Sequence, residues 1–154
     1  MERFQITPFE KKHIPLVMEF EQELRRQEPD TYFWEPDERY RNALELSFSD
    51  SRFQNAVSFL AIEDGRVIGR IDAVILSGRS DPACGSAYLD WICVLKSERH
   101  RRVAQALMEA LKKALKTKQV TLLVALAAQN DEAQRFYRSL NGASVHDEGV
   151  WIDL

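Results

Sequence analysis

Apolar residues along the chain switch between a helical and a strand period, and the switches mark its elements. Residues 4–7 read as a short first strand ended by Pro8. A helix is predicted from about His13, because Pro15 suits a first turn and Leu16, Val17, Phe20 and Leu24 form one stripe. The pattern breaks over 27–36, then a second helix is predicted over 37–48, with Tyr40, Ala43, Leu44 and Phe48 facing inward. Residues 56–62 and 67–76 are β-type runs around Glu63-Asp64-Gly65-Arg66, and Asp-Gly is a strong hairpin signal.

Residues 77–86, with Gly78, Asp81, Pro82 and Gly85, read as a loop. A β-rich run over 89–95 follows, then a helix over 103–115 with Val103, Leu107, Ala110, Leu111, Ala114 and Leu115 on one face. Residues 120–126 make a fifth strand. Asn130-Asp131-Glu132 opens a last helix with Ala133, Phe136 and Leu140 on one face, and Asn141-Gly142 stops it. Residues 143–154 are predicted to form a hairpin turning at Asp147-Glu148-Gly149 and ending in Val150-Trp151-Ile152. The order β-α-α-β-β-β-α-β-α-β-β predicts an α/β or α+β fold with a mixed sheet, in which only the strands flanking the long helix need run parallel.

At 154 residues and 45% hydrophobic content, the chain suits one domain over residues 1–154. Cys84 and Cys93 form neither a disulfide framework nor a metal-ligand spacing, so no metal site is expected and Cys93 reads as a small core residue. No apolar run is long enough to span a bilayer and the first residues lack a signal core, so a cytoplasmic, membrane-free protein is expected.

Charge changes the picture more. Residues 96–118 carry a net +6 within a chain of net −3, a basic patch on an acidic body. That distribution favours a local anionic ligand over general nucleic-acid affinity. The turn Arg99-His100-Arg101-Arg102 leads into a helix N-terminus, where unpaired N–H groups and the dipole favour a phosphate; a solvated charge cluster is the plainer alternative. Over 28–38, Tyr32-Phe33-Trp34 sit among Glu28, Asp30 and Glu35. These residues suit either a cationic amine or an aromatic plug.

The order Val94, Arg99-x-x-Arg102-Val103-Ala104 resembles the acyl-CoA signature of the GNAT superfamily of N-acyltransferases, Arg/Gln-x-x-Gly-x-Gly/Ala between a bulged strand and a helix. Arg102 stands where that family usually has glycine, and His100 where a second glycine is common. Asn130-x-x-Ala133-x-x-Phe136-Tyr137-x-x-Leu140-x-Gly142 resembles the family's second diagnostic region.

The resemblance implies a GNAT-like fold whose fourth and fifth strands run parallel and splay apart, and an acetyl-CoA-dependent N-acetyltransferase acting on a small primary amine; the acidic remainder of the chain and the 28–38 loop point to a cationic one. It implies that backbone groups at Ile92, Cys93 and Val94 bind the pantetheine arm. The turn Arg99, His100, Arg101, Arg102, Val103 and Ala104 would hold the pyrophosphate, and Tyr137 would be the general acid, its plainer alternative being a residue that packs on the same helix four positions beyond Ala133. Asn130 is either a cofactor contact or a helix cap; Asp90 is either a base or a structural polar partner. Family members are often dimers, so a homodimer is allowed. Two other readings stay open: a CoA-binding module without turnover, motivated by the missing glycines, and a nucleic-acid- or ribosome-binding domain using the 96–118 stripe.

Overall fold

The computed structural model describes residues 4–79, 85–146 and 149–154. Strands β1 (Gln5–Pro8), β2 (Ala56–Glu63), β3 (Arg66–Ile75), β4 (Ser86–Val94) and β5 (Leu122–Ala125) form one sheet in sequence order. The helices are α1 (Ile14–Gln27), α2 (Glu38–Ser47), α3 (Val103–Thr117) and α4 (Asp131–Ser139). All neighbouring strands are antiparallel except β4 and β5, which run parallel around the crossover helix α3.

Local chemistry explains most of these boundaries. Before α1, His13 Nδ1 accepts the Glu10 N–H at 3.1 Å, and Pro15 occupies the first turn. Asp37 caps α2 through the Tyr40 N–H at 2.9 Å. The β2–β3 turn places Asp64 and Gly65 at φ of 49° and 75°, the pair of positive angles that matches strand twist.

One sheet face lies under α3, which buries Val103, Leu107, Met108, Leu111 and Leu115. Ile71, Ala73, Ala87 and Leu89 are buried with them in one continuous core. Each large apolar side chain fully withdrawn from water contributes about 1.5–3 kcal/mol. The other face carries α1, whose stripe buries Val17, Phe20 and Leu24.

The structure revises three expectations. In α2 only Leu44 is buried; Ala43 is exposed, and Phe48 stays at the surface with its ring edge-on to Phe9 at 5.2 Å. The fifth strand is four residues long, shorter than 120–126. Among the described residues no strand of the final hairpin is found: residues 143–146 and 149–154 are in no strand, and Val150, Trp151 and Ile152 are exposed. Its expected turn at Asp147-Glu148 lies outside the described residues, as do residues 80–84 of the 77–86 loop, Cys84 among them.

Gly69 on β3 lies directly beneath α3. A Cβ there would meet Val103 Cγ1 at 3.0 Å, Leu107 Cδ1 at 3.1 Å and the Cys93 carbonyl at 3.3 Å. Gly69→Ala is expected to destabilise the fold by about 1–3 kcal/mol through overpacking, read as a lower urea midpoint with an unchanged slope.

Candidate active site

The site begins with a register shift. Asp72 pairs with Trp91 but Ala73 pairs with Leu89, so Asp90 is an extra residue on β4, a β-bulge. Paired residues share a face and successive residues alternate. Leu89 therefore lies on the α3 face, while Trp91 lies on the α1 face with Asp72. Simple alternation would have put Leu89 and Trp91 together; the bulge separates them and leaves Asp90 exposed.

Beyond the bulge, β4 leaves its parallel neighbour. Pairing with β5 runs from Ser86↔Leu122 to Leu89↔Ala125 and stops, although β4 continues to Val94. Ile92, Cys93 and Val94 still pair with β3, so their other backbone edge faces the opening between the strands.

The following turn keeps a glycine-like backbone without glycine. His100 and Arg102 have φ of 64° and 63°, in the left-handed region, at the two positions where the family motif favours glycine. The N-cap of α3 is Arg102 itself, whose side chain makes no capping bond. Val103 and Ala104 thus enter the helix with first-turn N–H groups that have no intrahelical acceptor.

Two of the three arginines are held by carboxylates. Arg99 forms a two-pronged pair with Glu28, at 3.1 and 2.5 Å, and a further bond to Glu132 at 3.0 Å. Arg101 grips Glu63 at 2.9 and 2.6 Å and also pairs with Glu98. Arg102 and His100 are exposed. Among the described residues, Arg102 alone of the three arginines carries no ion pair. The basic turn is therefore mostly neutralised, and Arg99 links the end of α1 to the start of α4.

Tyr137 is half-buried on α4, and burial, reinforced by nearby Tyr88, pushes its phenol up from the ordinary value. Asn130 caps α4, its side-chain oxygen accepting the Ala133 N–H at 2.8 Å. Cys93 is buried with its Sγ 2.9 Å from the Tyr32 hydroxyl, and desolvation holds the thiol up at about 12. Among the described residues no cluster could hold a metal, and no helix is long and apolar enough to cross a membrane.

The aromatic loop packs onto β4. Tyr32, Trp34 and Trp91 meet edge to face, with centroids 5.3–5.9 Å apart, while Phe33 projects into solvent at 81% exposure. Beside them lies a polar cluster that sequence reasoning passed over. Arg70 Nη1 donates to the Tyr40 hydroxyl at 2.9 Å and to Glu21 Oε1 at 3.3 Å. Tyr40 donates to the same Glu21 oxygen at 3.3 Å, and Ser58 donates to Asp72 at 2.6 Å. Desolvation raises the Glu21 carboxyl above its ordinary range, against the pull of Arg70. The signal was present as a glutamate inside an apolar helical stripe and two charges, 70 and 72, two apart on an apolar strand.

A family model described as the acetyltransferase (GNAT) family matches residues 17–142. No curated protein matches the chain. Among solved structures, an aminoglycoside acetyltransferase from an uncultured soil metagenomic sample, in complex with sisomicin, superposes with a TM-score of 0.76 at 18% identity, covering 99% of this chain and 97% of the other. AAC(6')-Iy, in complex with the bisubstrate analog CoA-S-monomethyl-acetylneamine, superposes at 0.75 with 19% identity over 98% and 97% of the two chains. A ribosomal-protein-alanine N-acetyltransferase from Brucella melitensis biovar Abortus 2308 gives 0.70 at 18% identity, covering 98% of each chain.

Because a left-handed backbone is costly for side chains with a Cβ, His100→Gly and Arg102→Gly are each expected to stabilise the protein by about 1 kcal/mol, measured by urea unfolding.

Proposed function

The chain belongs to the acetyltransferase (GNAT) family, and on that footing we propose that it transfers an acetyl group from acetyl-CoA to a primary amine of a small, cationic acceptor by direct attack, with Tyr137 as general acid. The observation that carries this reading is the parting of β4 from β5 after Leu89 and Ala125, directly ahead of the left-handed turn and the uncapped start of α3. An unpaired strand edge and a helix N-terminus in series suit an amide-containing arm that ends in a diphosphate.

Several residues fit such a ligand. Ile92, Cys93 and Val94 offer main-chain groups to the arm and, through an N–H, to a carbonyl that gains negative charge. Val103 and Ala104 offer first-turn N–H groups, and Arg102 the uncommitted cation of the turn. Arg99 and Arg101 act by fixing that turn, since their guanidinium groups are already held by Glu28, Glu132, Glu63 and Glu98. Bound acetyl-CoA would supply the activated acetyl carbon and a thiolate leaving group.

Proton handling falls to two side chains. Asp90, exposed on the bulge at the mouth of the opening, accepts the proton that an ammonium must lose before it can attack. Tyr137 delivers one to the departing sulfur; a phenol pushed up by burial stays protonated at neutral pH and is available as a donor. Asn130, already spent as a cap through its side-chain oxygen, positions α4 and hence Tyr137.

The solved neighbours support an amine acceptor, because two are complexes with sisomicin and with a CoA–acetylneamine conjugate. A CoA-binding module without turnover loses its motive, since His100 and Arg102 take up the backbone angles for which glycine would be needed. A nucleic-acid role for the 96–118 stripe is weakened by the carboxylates that cover Arg99 and Arg101.

The test is thiol release from acetyl-CoA with a panel of amines. Turnover is expected with at least one cationic amine, and Tyr137→Phe should lower kcat by roughly 10²–10⁴-fold while leaving the KM for acetyl-CoA unchanged. Tight binding of CoA with no thiol release on any amine would overturn the enzymatic reading.

A further inference from the structure

The helix that carries Tyr137 is lightly held. No residue of α4 is buried, and it rests on the core through the half-buried Phe136 and Tyr137 and, just past its end, Leu140. Most of its side-chain hydrogen bonds are local: the Asn130 cap, Gln134 Nε2 to the Ala128 carbonyl at 3.0 Å, and Ser139 Oγ to the Phe136 carbonyl at 2.7 Å. Among the described residues a single side-chain hydrogen bond joins α4 to a remote part of the chain. In it Arg99 Nη1 donates to Glu132 Oε2 at 3.0 Å, across 33 positions of sequence.

The far end of that bond is fixed without Glu132. Glu28 holds the same guanidinium by two bonds, and Arg99 Nε donates to the Val94 carbonyl at the end of β4, at 3.4 Å. The Glu28 side chain keeps 15% of its surface and that of Glu132 47%, so Glu28 anchors the arginine and Glu132 meets it from the solvent side. Glu132 therefore ties α4 to a planar cation that α1 and β4 already place.

The tie acts on the side of the helix where leverage on Tyr137 is large. At 3.6 residues per turn, Glu132 and Tyr137 lie about 140° apart around the helix axis, on opposite flanks of the stripe through Ala133 and Leu140. A helix that rests on one stripe can roll about it, and a bond on one flank sets the position of the other. With side chains reaching about 5–6 Å from the axis, a roll of about 10° moves a tip by about 1 Å. A misplacement of that size costs a reaction about a hundredfold.

We propose that Glu132 is a positioning residue for acetyl transfer: through Arg99 it sets the roll of α4 and so aims the Tyr137 hydroxyl at the opening between β4 and β5. This rests on the acetyltransferase reading above, with Tyr137 as its acid, and adds a residue to it. Glu132 acts through the phenol and takes no part in proton transfer itself.

The experiment follows thiol release from acetyl-CoA, with the amine that wild type turns over fastest, in wild type, Glu132→Ala, Glu132→Gln, Tyr137→Phe and the double variant Glu132→Ala/Tyr137→Phe. Hydrogen exchange of the α4 amides is read in parallel by mass spectrometry. Glu132→Ala is expected to lower kcat by about 10- to 100-fold without raising the KM for acetyl-CoA, because Arg99 keeps Glu28 and the turn stays anchored. Glu132→Gln, which retains an acceptor oxygen at the same reach, should recover most of that loss. With Tyr137→Phe already in place, Glu132→Ala should cost less than about twofold, since residues that act through one phenol are not additive. The melting temperature should stay at the wild-type value, the Glu132 side chain being 47% exposed, while exchange over residues 131–139 quickens.

Equal kcat in wild type and Glu132→Ala overturns the positioning role while the acetyltransferase reading stands. A loss that persists in full on top of Tyr137→Phe, or one that appears as a raised KM for acetyl-CoA, overturns it as well, because Glu132 would then act elsewhere than through the phenol. Where no amine turns over, the enzymatic reading falls and exchange decides the tie on its own: faster exchange of α4 in Glu132→Ala upholds it, and equal exchange overturns it.

Discussion

A parallel strand pair that stops pairing while one strand runs on is the constraint from which the site follows. Backbone N–H and C=O groups withdrawn from water need partners, and β4 past Leu89 presents a row of them toward the opening left by β5. The bulge at Asp90 twists the strand at the same point, so the change of register and the loss of the neighbour coincide. The long helix α3 stays packed on the sheet throughout and holds the turn that precedes it at the end of that row.

Around the opening, the fold spends its arginines on internal carboxylates. Glu28 lies 71 residues from Arg99 in sequence and Glu63 lies 38 from Arg101, so the turn is tied to the end of α1 and to β2. Half-buried ion pairs of this kind gain less from attraction than from the geometry they impose. A turn holding two non-glycine residues at positive φ needs such ties, because the strained conformation persists only where its surroundings fix it.

The parts of this architecture set by nearby residues were legible in the sequence. The Asp64-Gly65 turn, the α3 stripe and the Asn130 cap each depend on contacts within a few positions, and each appears where spacing placed it. The bulge was not legible from β4 alone, because it exists only relative to the register of β3. The carboxylate partners of Arg99 and Arg101 come from remote segments, so a basic turn read by itself looked more electropositive than it is. Val150-Trp151-Ile152 has strand composition, but a strand also needs a neighbour, and in the structure that segment has none.

The placement of the three tryptophans gives the protein an optical readout of its own. Trp34 and Trp91 sit in edge contact 5.4 Å apart beside the opening, whereas Trp151 stands at 75% exposure near the end of the chain. Their emission should divide accordingly into a more shielded component that reports the state of the aromatic wall and a component that aqueous iodide quenches freely. With Trp151 silenced by a phenylalanine, intrinsic fluorescence becomes a label-free gauge of whatever displaces that wall.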